Sequence, residues 1–434
     1  MDCILLRHTE RNTIFDDKDS GVVIADDLTG SGEIVALLAR EGVFPKLMIN
    51  PPREACSGLN GKTSMVLDLE LRSLAPVKAY ETIKWFSEFR EITQNLKYLK
   101  VDSTLRGNFI AEIEGLVESE FFDAVIFAPA FPGMGRQTVG GYHLVDGRPL
   151  ERTDYANRIN DGVDRSNIYQ YFTAKSENLK PGLVELSVIE KGPDRAAARM
   201  GELIENGANV IVMDAAEKRD LEVIASASYS TPCKLLMAGI AGLFQALLGA
   251  YEPNIVGFEP SSDPALVVCG SLNTIARRQL QLLGKSETDL KPFEISLEDL
   301  IDIGRGKPSS KMESLHFSLQ KGHNVALSTP SDFVQLPDSQ MKQVEKGLGI
   351  MMGQLIQIHH GEISGLILTG GETATAVLRA LKIRELQIIG ELEPLIPVAS
   401  APRQFPFKII TKAGGFGSDQ ILLKAVKSVR GAED

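Results

Sequence analysis

The sequence predicts an α/β protein of two domains, each a largely parallel sheet flanked by helices. Three observations carry that prediction. Short β-branched runs alternate with helix-spaced stretches almost throughout the chain. The alternation breaks once, over Tyr251–Pro264 (YEPNIVGFEPSSDP), where Pro, Gly and Ser collect as they do in linkers, and then restarts. The chain has 434 residues, more than one ordinary core holds.

The elements follow in order. Gly21–Ala25 (GVVIA) reads as a first strand, and SGEIVALLAREG after it has helical apolar spacing. Ser64–Leu69 is a second strand. YLKVD is a third, leading through the Ser103–Gly107 turn into the helix-like NFIAEIEGLVESEF. Asp123–Ala130 reads as a buried strand, followed by a long polar loop, Ala128–Thr153. Ala208–Ala215 is another strand. After the linker, Ala265–Ser271 opens a new unit, and NVALSTP, GLILTGG and FKIITKAGG supply further strands. Each of the three strands after the restart ends in small residues. Open α/β sheets bind ligands at the carboxyl ends of their strands.

Composition excludes several classes. Apolar residues make up 43% and charged residues 24%, ordinary for a globular protein. The net charge of −11 argues against nucleic acid or an anionic membrane as the main partner. It leaves room for a small anion held by a few local cations. Cys3, Cys56, Cys233 and Cys269 form no C-x-x-C pair and have no zinc-ligand spacing, so free thiols of a reducing cytoplasm are expected. No apolar run reaches the roughly 18 residues of a membrane span, and the acidic start does not suit a signal peptide.

Three glycine loops in the C-terminal half are candidate phosphate cradles. They are Gly270–Ser271, then Gly370–Gly371–Glu372–Thr373, then Gly414, Gly415 and Gly417. Glycine lets a phosphate approach the backbone, and a helix N-terminus offers N–H donors. Lys412 is placed to add a charge or simply to finish its strand. Each loop taken alone is equally a tight turn. Gly58–Ser64 (GLNGKTS) resembles a Walker A loop, but it has the wrong spacing and precedes a strand, so it is set aside.

The N-terminal half offers charge instead. Asp26 and Asp27 end the first strand, where carboxylates bind hydroxyls, take a proton or hold Mg2+, or else cap a helix. Asp102, Ser103 and Arg106 share one strand-to-helix turn. Arg106 has the fork to grip a carboxylate, or to make a surface ion pair. Arg136 and His143 are polar handles on the long loop. His359–His360 reads as a helix C-terminal turn.

Taken together, IADDLTG, KVDSTLRGN, APAFPGMGRQTVGGYHLVDGRPLE, GGETA and KAGGFG resemble, in that order, the four-carbon acid sugar kinase family, formerly a domain of unknown function. The resemblance runs from about Gly21 to Val426. It implies ATP-dependent kinases of threonate, erythronate or 3-oxo-tetronate that phosphorylate the terminal 4-hydroxyl. It further implies a substrate domain over 21–255 behind an extension of 1–20, a nucleotide domain over 262–434, and an active site in the cleft between them. Asp26, Asp27 and Arg136 are the expected catalytic residues. Asp68, Arg72, Asp102, Ser103 and Arg106 are expected on the substrate. Ser271, Gly370, Gly371, Glu372, Thr373, Gly414, Gly415 and Gly417 are expected on the nucleotide. ATP and Mg2+ are the expected cofactors, with the metal ligands unassigned. The expected partner is a small anionic sugar acid, with neither nucleic acid nor membrane, and a homodimer is left open. Ser31–Glu33 and Glu70 depart from the usual motifs, which leaves the particular sugar acid open, and Ala413 also departs but leaves the backbone cradle untouched. A small-hydroxy-acid NAD(P) oxidoreductase and a non-catalytic sugar-acid sensor remain the alternatives.

Overall fold

The computed structural model describes residues 21–52, 64–153, 155, 166–249, 261–330 and 336–431. The expected extension, most of the Walker-like stretch and most of the linker lie outside the described residues.

The strands of the first half are β1 (Val22–Ala25), β2 (Lys46–Ile49), β3 (Met65–Asp68), β4 (Leu96–Lys100), β5 (Ala124–Ala128), β6 (Arg136–Val139), β7 (Tyr142–Val145), β8 (Arg148–Pro149), β9 (Pro181–Val184), β10 (Val210–Met213) and β11 (Leu235–Gly239). Those after the linker are β12 (Ala265–Cys269), β13 (Leu290–Glu294), β14 (Asn324–Ser328), β15 (Gly365–Thr369), β16 (Glu385–Glu393), β17 (Ile396–Ala401) and β18 (Phe405–Lys412).

The chain forms two compact units that are not separated by a single cut. The first takes the chain up to Asp26, then Pro52–Met65 and Leu71–Ala250. The second takes Asp27–Pro51, Val66–Glu70 and the chain from Tyr251 on. The reason is pairing and packing. β2 runs antiparallel to β16, with Leu47 opposite Leu386. The helix Leu28–Arg40 packs on β16 and β17, and its Arg40 pairs with Glu391.

In the first unit the strands run β1-β4-β11-β5-β10-β9, all parallel. β1, β5 and β10 are buried along their whole length, as strands covered on both faces must be. In the second unit β13-β14-β12-β15-β18 are parallel. β17, β16 and β2 then continue the sheet antiparallel. From β12 the chain builds β13 and β14 on one side and β15 and β18 on the other. The β12/β15 boundary is therefore a topological switch point, where the two following loops diverge and leave room for a ligand. The core beside it is aliphatic, with Val267, Ile367, Ile410 and Leu422 among its members.

The structure corrects the reading of Ala128–Thr153 as a loop. Much of it is a small antiparallel sheet, β6-β7-β8. Gly140 and Gly141, at φ +61° and +75°, make the two-residue turn that hairpins favour. Asp214 fixes the turn by accepting from the N–H groups of both glycines.

Candidate active site

Two clusters hold the residues singled out by sequence, one in each unit. In the first unit, β1 delivers Asp26 and β4 leads to Asp102. Arg72, in the 3-10 turn Leu71–Ser73, donates from Nη2 to both Asp26 carboxylate oxygens, at 3.0 and 3.1 Å, and from Nε at 3.1 Å. The same Nη2 lies 3.2 Å from Asp102. Arg106 grips Asp102 from the other side, with Nε and Nη2 at 2.8 and 2.7 Å. Thr104 adds its hydroxyl at 2.6 Å and its N–H at 3.1 Å. The result is an alternating row, Asp26–Arg72–Asp102–Arg106. Burial pushes the Asp102 carboxyl up, but Arg106 and Arg72 outweigh it and hold the group well below the carboxylate range.

Gly107 makes this row possible. It has φ +86°, and a Cβ there would lie 2.9 Å from Arg72 Cγ. Asn108 donates to the Leu71 and Leu74 carbonyls and so ties the Arg72 turn to the Arg106 turn. Ser103 contributes its carbonyl, which accepts from Nε2 of buried His143 at 3.2 Å. Burial pulls the His143 imidazole down to about 4, so it is neutral at pH 7. Arg136 opens β6, donates to the Met134 carbonyl and bears electrostatically on His143.

The second unit gathers the glycine loops. Gly270–Ser271 follows β12, Gly370–Thr373 follows β15 and Ala413–Gly417 follows β18, three adjacent strands. Their approach is tight enough that side chains are excluded. A Cβ on Gly270 would meet Thr373 Oγ1 at 2.4 Å, and one on Gly414 would meet Ser271 Oγ at 2.2 Å. Gly370 has φ +104° and opens the helix Gly371–Ala380, which carries Glu372 and Thr373 in its first turn. Gly415 faces Asn273, whereas the space beside Gly417 is filled by Ile396 and Ile421. Gly417 therefore serves the packing of the loop rather than its concave side.

Asp27 belongs to this second cluster. Its Oδ1 caps the helix Leu28–Arg40 by accepting from Gly30 N at 2.7 Å. A Cβ on Gly371 would lie 3.1 Å from its Oδ2 and 2.5 Å from Thr29 Oγ1. Asp68, fully buried at the end of β3, accepts from Glu70 N at 3.0 Å.

Sequence reasoning missed several supporting residues. Asn273 caps the helix Thr274–Ser286 and sits under Gly414; an Asn just before a helical run is a readable signal. Gln279 donates to the carbonyls of Phe416, Gly417 and Ser418 and clamps the third glycine loop, which no local pattern announces. His359 closes the helix Asp338–His359, as its sequence position suggests, but its side chain has partners that the sequence did not announce. It is buried between His316 and Glu362, at 2.7 Å from each.

An acid–arginine row on one α/β unit and three converging glycine loops on the other define the class of protein as a two-unit α/β protein with a polar cluster in each unit. Residues 21–247 match the model of a sugar-binding N-terminal domain, and residues 266–422 that of a nucleotide-binding C-terminal domain. The chain belongs to the four-carbon acid sugar kinase family. A D-threonate kinase of Salmonella typhimurium is 31% identical, covering 93% of this chain and 97% of its own. A D-erythronate kinase of Heliobacterium modesticaldum is 27% identical over 92% of this chain and 94% of its own. A 3-oxo-tetronate kinase of Pseudomonas savastanoi is also 27% identical, over 94% and 97%. Among solved structures, a Haemophilus influenzae protein with a domain of unknown function shares the fold at a TM-score of 0.68 and 23% identity, covering 93% of this chain and 98% of that one.

Proposed function

We propose that this protein transfers the terminal phosphoryl group of MgATP to the terminal 4-hydroxyl of a four-carbon sugar acid. The observation that carries the reading is the convergence of the three glycine loops, packed so closely that a Cβ on Gly270, Gly370 or Gly414 would press on Thr373 or Ser271 of a neighbouring loop, with the Asp27 carboxylate beside Gly371. Close backbone approach and a helix N-terminus suit a phosphate chain. Phosphoryl transfer depends mainly on such positioning and charge placement.

In this reading the acceptor oxygen forms a bond to the terminal phosphorus, and the bond from that phosphorus to the bridging oxygen breaks. The products are a phosphate monoester, ADP and the hydroxyl proton. Asp27 orients the hydroxyl and takes that proton. Asp26 is held by three contacts from Arg72 and serves to fix that arginine. Arg72 and Arg106 present positive charge to the substrate carboxylate, and Arg136 remains a candidate for the transferring group. Among the described residues no cluster of three or more His, Cys, Asp or Glu is placed to hold a metal. Mg2+ would therefore ride on the nucleotide, as it commonly does, with one or two carboxylates at most. When bound it would neutralise phosphate charge.

The test is ATP consumption against a panel of four- and five-carbon sugar acids, with Asp27→Asn as the control. Asparagine caps helices as well as aspartate, so this change isolates the charge. Turnover on a threonate, erythronate or 3-oxo-tetronate is expected, with about a 100-fold or greater loss in the variant. A folded protein that binds ATP and consumes none with any acid would sink the proposal. Near-normal turnover of Asp27→Asn would remove Asp27 from the chemistry.

A further inference from the structure

Lys412 is the last residue of β18 and is 3% exposed. Its ammonium donates to the Ala413 carbonyl at 2.8 Å, and among the described residues no carboxylate lies within ion-pair distance of it. Glu393, the carboxylate that bears on it electrostatically, is already engaged by Lys424 and Ser418. A buried cation is costly unless an anion or several acceptors compensate it. Burial lowers this amine to about 8, so it is still charged at neutral pH.

A second observation lies on the neighbouring strand. Thr369 is directly opposite Lys412 in the parallel register, with Cys269 beyond it. Residues paired in this way share a face of the sheet. Thr369 is fully buried, and its hydroxyl has no hydrogen-bond partner. Buried hydroxyls nearly always have one.

Lys412 also lines a small pocket with Thr29, Gly32, Gly370 and Ala413, with room for about one water-sized group. The helix Leu28–Arg40 starts at this pocket, and Gly370 immediately precedes the helix Gly371–Ala380. The N-terminus of Leu28–Arg40 is already capped by the Asp27 carboxylate, whereas that of Gly371–Ala380 has no side-chain cap and, with the ammonium, favours negative charge.

We infer that Lys412, with the Thr369 hydroxyl, binds an oxygen of the nucleotide's terminal phosphate, and that this contact distinguishes ATP from shorter nucleotides. The inference rests on the nucleotide reading above and names the residue that reads the end of the phosphate chain. The pocket is sized for one oxygen, not for a base or sugar.

The experiment is calorimetric titration of ATP, ADP and AMP into the full-length protein and its Lys412→Met, Lys412→Arg and Thr369→Val variants, with thermal unfolding of each. Lys412→Met is expected to lose about tenfold or more in ATP affinity, roughly 1.4 kcal/mol, while AMP binding changes by less than about twofold. Lys412→Arg should recover part of the loss. Thr369→Val should show a smaller loss confined to ATP, and it carries the test if Lys412→Met does not fold. Equal losses for all three nucleotides, or none, would overturn the assignment and leave Lys412 as a strand-ending residue. A wild-type protein that binds none of the nucleotides would instead overturn the kinase reading.

Discussion

Two arginines of the first unit, Arg72 and Arg106, are each engaged by aspartate. Arg72 bridges Asp26 and Asp102, and Arg106 closes on Asp102. The charged residues were legible in the sequence, because each sits in a short motif at a strand end. Their pairing was not, since Asp26 and Arg72 lie far apart in the chain and only the fold brings them together. Nor was the part played by Gly107, which acts through the side chain it lacks. Gly107→Ala is expected to push Arg72 out of the row and to strain a left-handed backbone position. The cost should be about 1–3 kcal/mol of stability, with a raised KM for the sugar acid and little change in KM for ATP. Denaturant titration and steady-state kinetics check both parts. Unchanged sugar-acid KM in a folded variant would separate Gly107 from the substrate site.

At the scale of elements, the parallel strands were legible because burial on both faces leaves continuous apolar runs. β12, β14 and β15 lie within the segments named from those runs, and β18 begins two residues before its own. The antiparallel elements were less visible. β16 and β17 mix buried and half-buried positions, so their period is blurred. The β6–β7 hairpin did carry a signal, a Gly-Gly pair between two alternating segments, but the surrounding prolines and glycines made the whole stretch look like loop. The three glycine loops were legible one by one, whereas their convergence depends on strand order. That convergence is testable through Gly414, where a side chain would collide with Ser271 and Asn273. Gly414→Val should wedge the third loop from the first and weaken ATP binding by about tenfold or more, with the unfolding midpoint little changed. Retained affinity in a folded variant would mean that the two loops need not touch to hold the nucleotide.

The whole molecule combines buried and half-buried ionisable groups of opposite pH sense. In the first unit His143 is pulled down to about 4 from 6.5, and Asp102 is also depressed. Both bind fewer protons when folded. Their contributions are therefore present at neutral pH and are lost on acidification, for His143 between about pH 6.5 and 4. In the second unit burial, with Glu372 nearby, raises Glu345 to about 7. Its contribution runs the other way, present below its ordinary value near 4.5 and lost as pH rises through 7. Replacing His143 with Gln, which can still donate to the Ser103 carbonyl, should flatten the fall in stability between pH 6.5 and 4 by about 3 kcal/mol. Urea titrations at a series of pH values read this directly, and an unchanged slope would mean that His143 is not held neutral by its surroundings. The sequence showed that there are two α/β halves, but not that stretches of the first half would be built into the second. Nothing local in Asp27–Pro51 reveals that its partner strand is β16.

That exchange of segments has a consequence for synthesis. The helix Leu28–Arg40 carries an apolar face that is covered by β16 and β17, and Arg40 meets its partner Glu391 across 351 residues. At roughly 5–20 residues per second, translation leaves about 20–70 s between the making of that helix and the making of the strand that covers it. Until then, the apolar face of Leu28–Arg40 lacks the two strands that cover it in the finished fold.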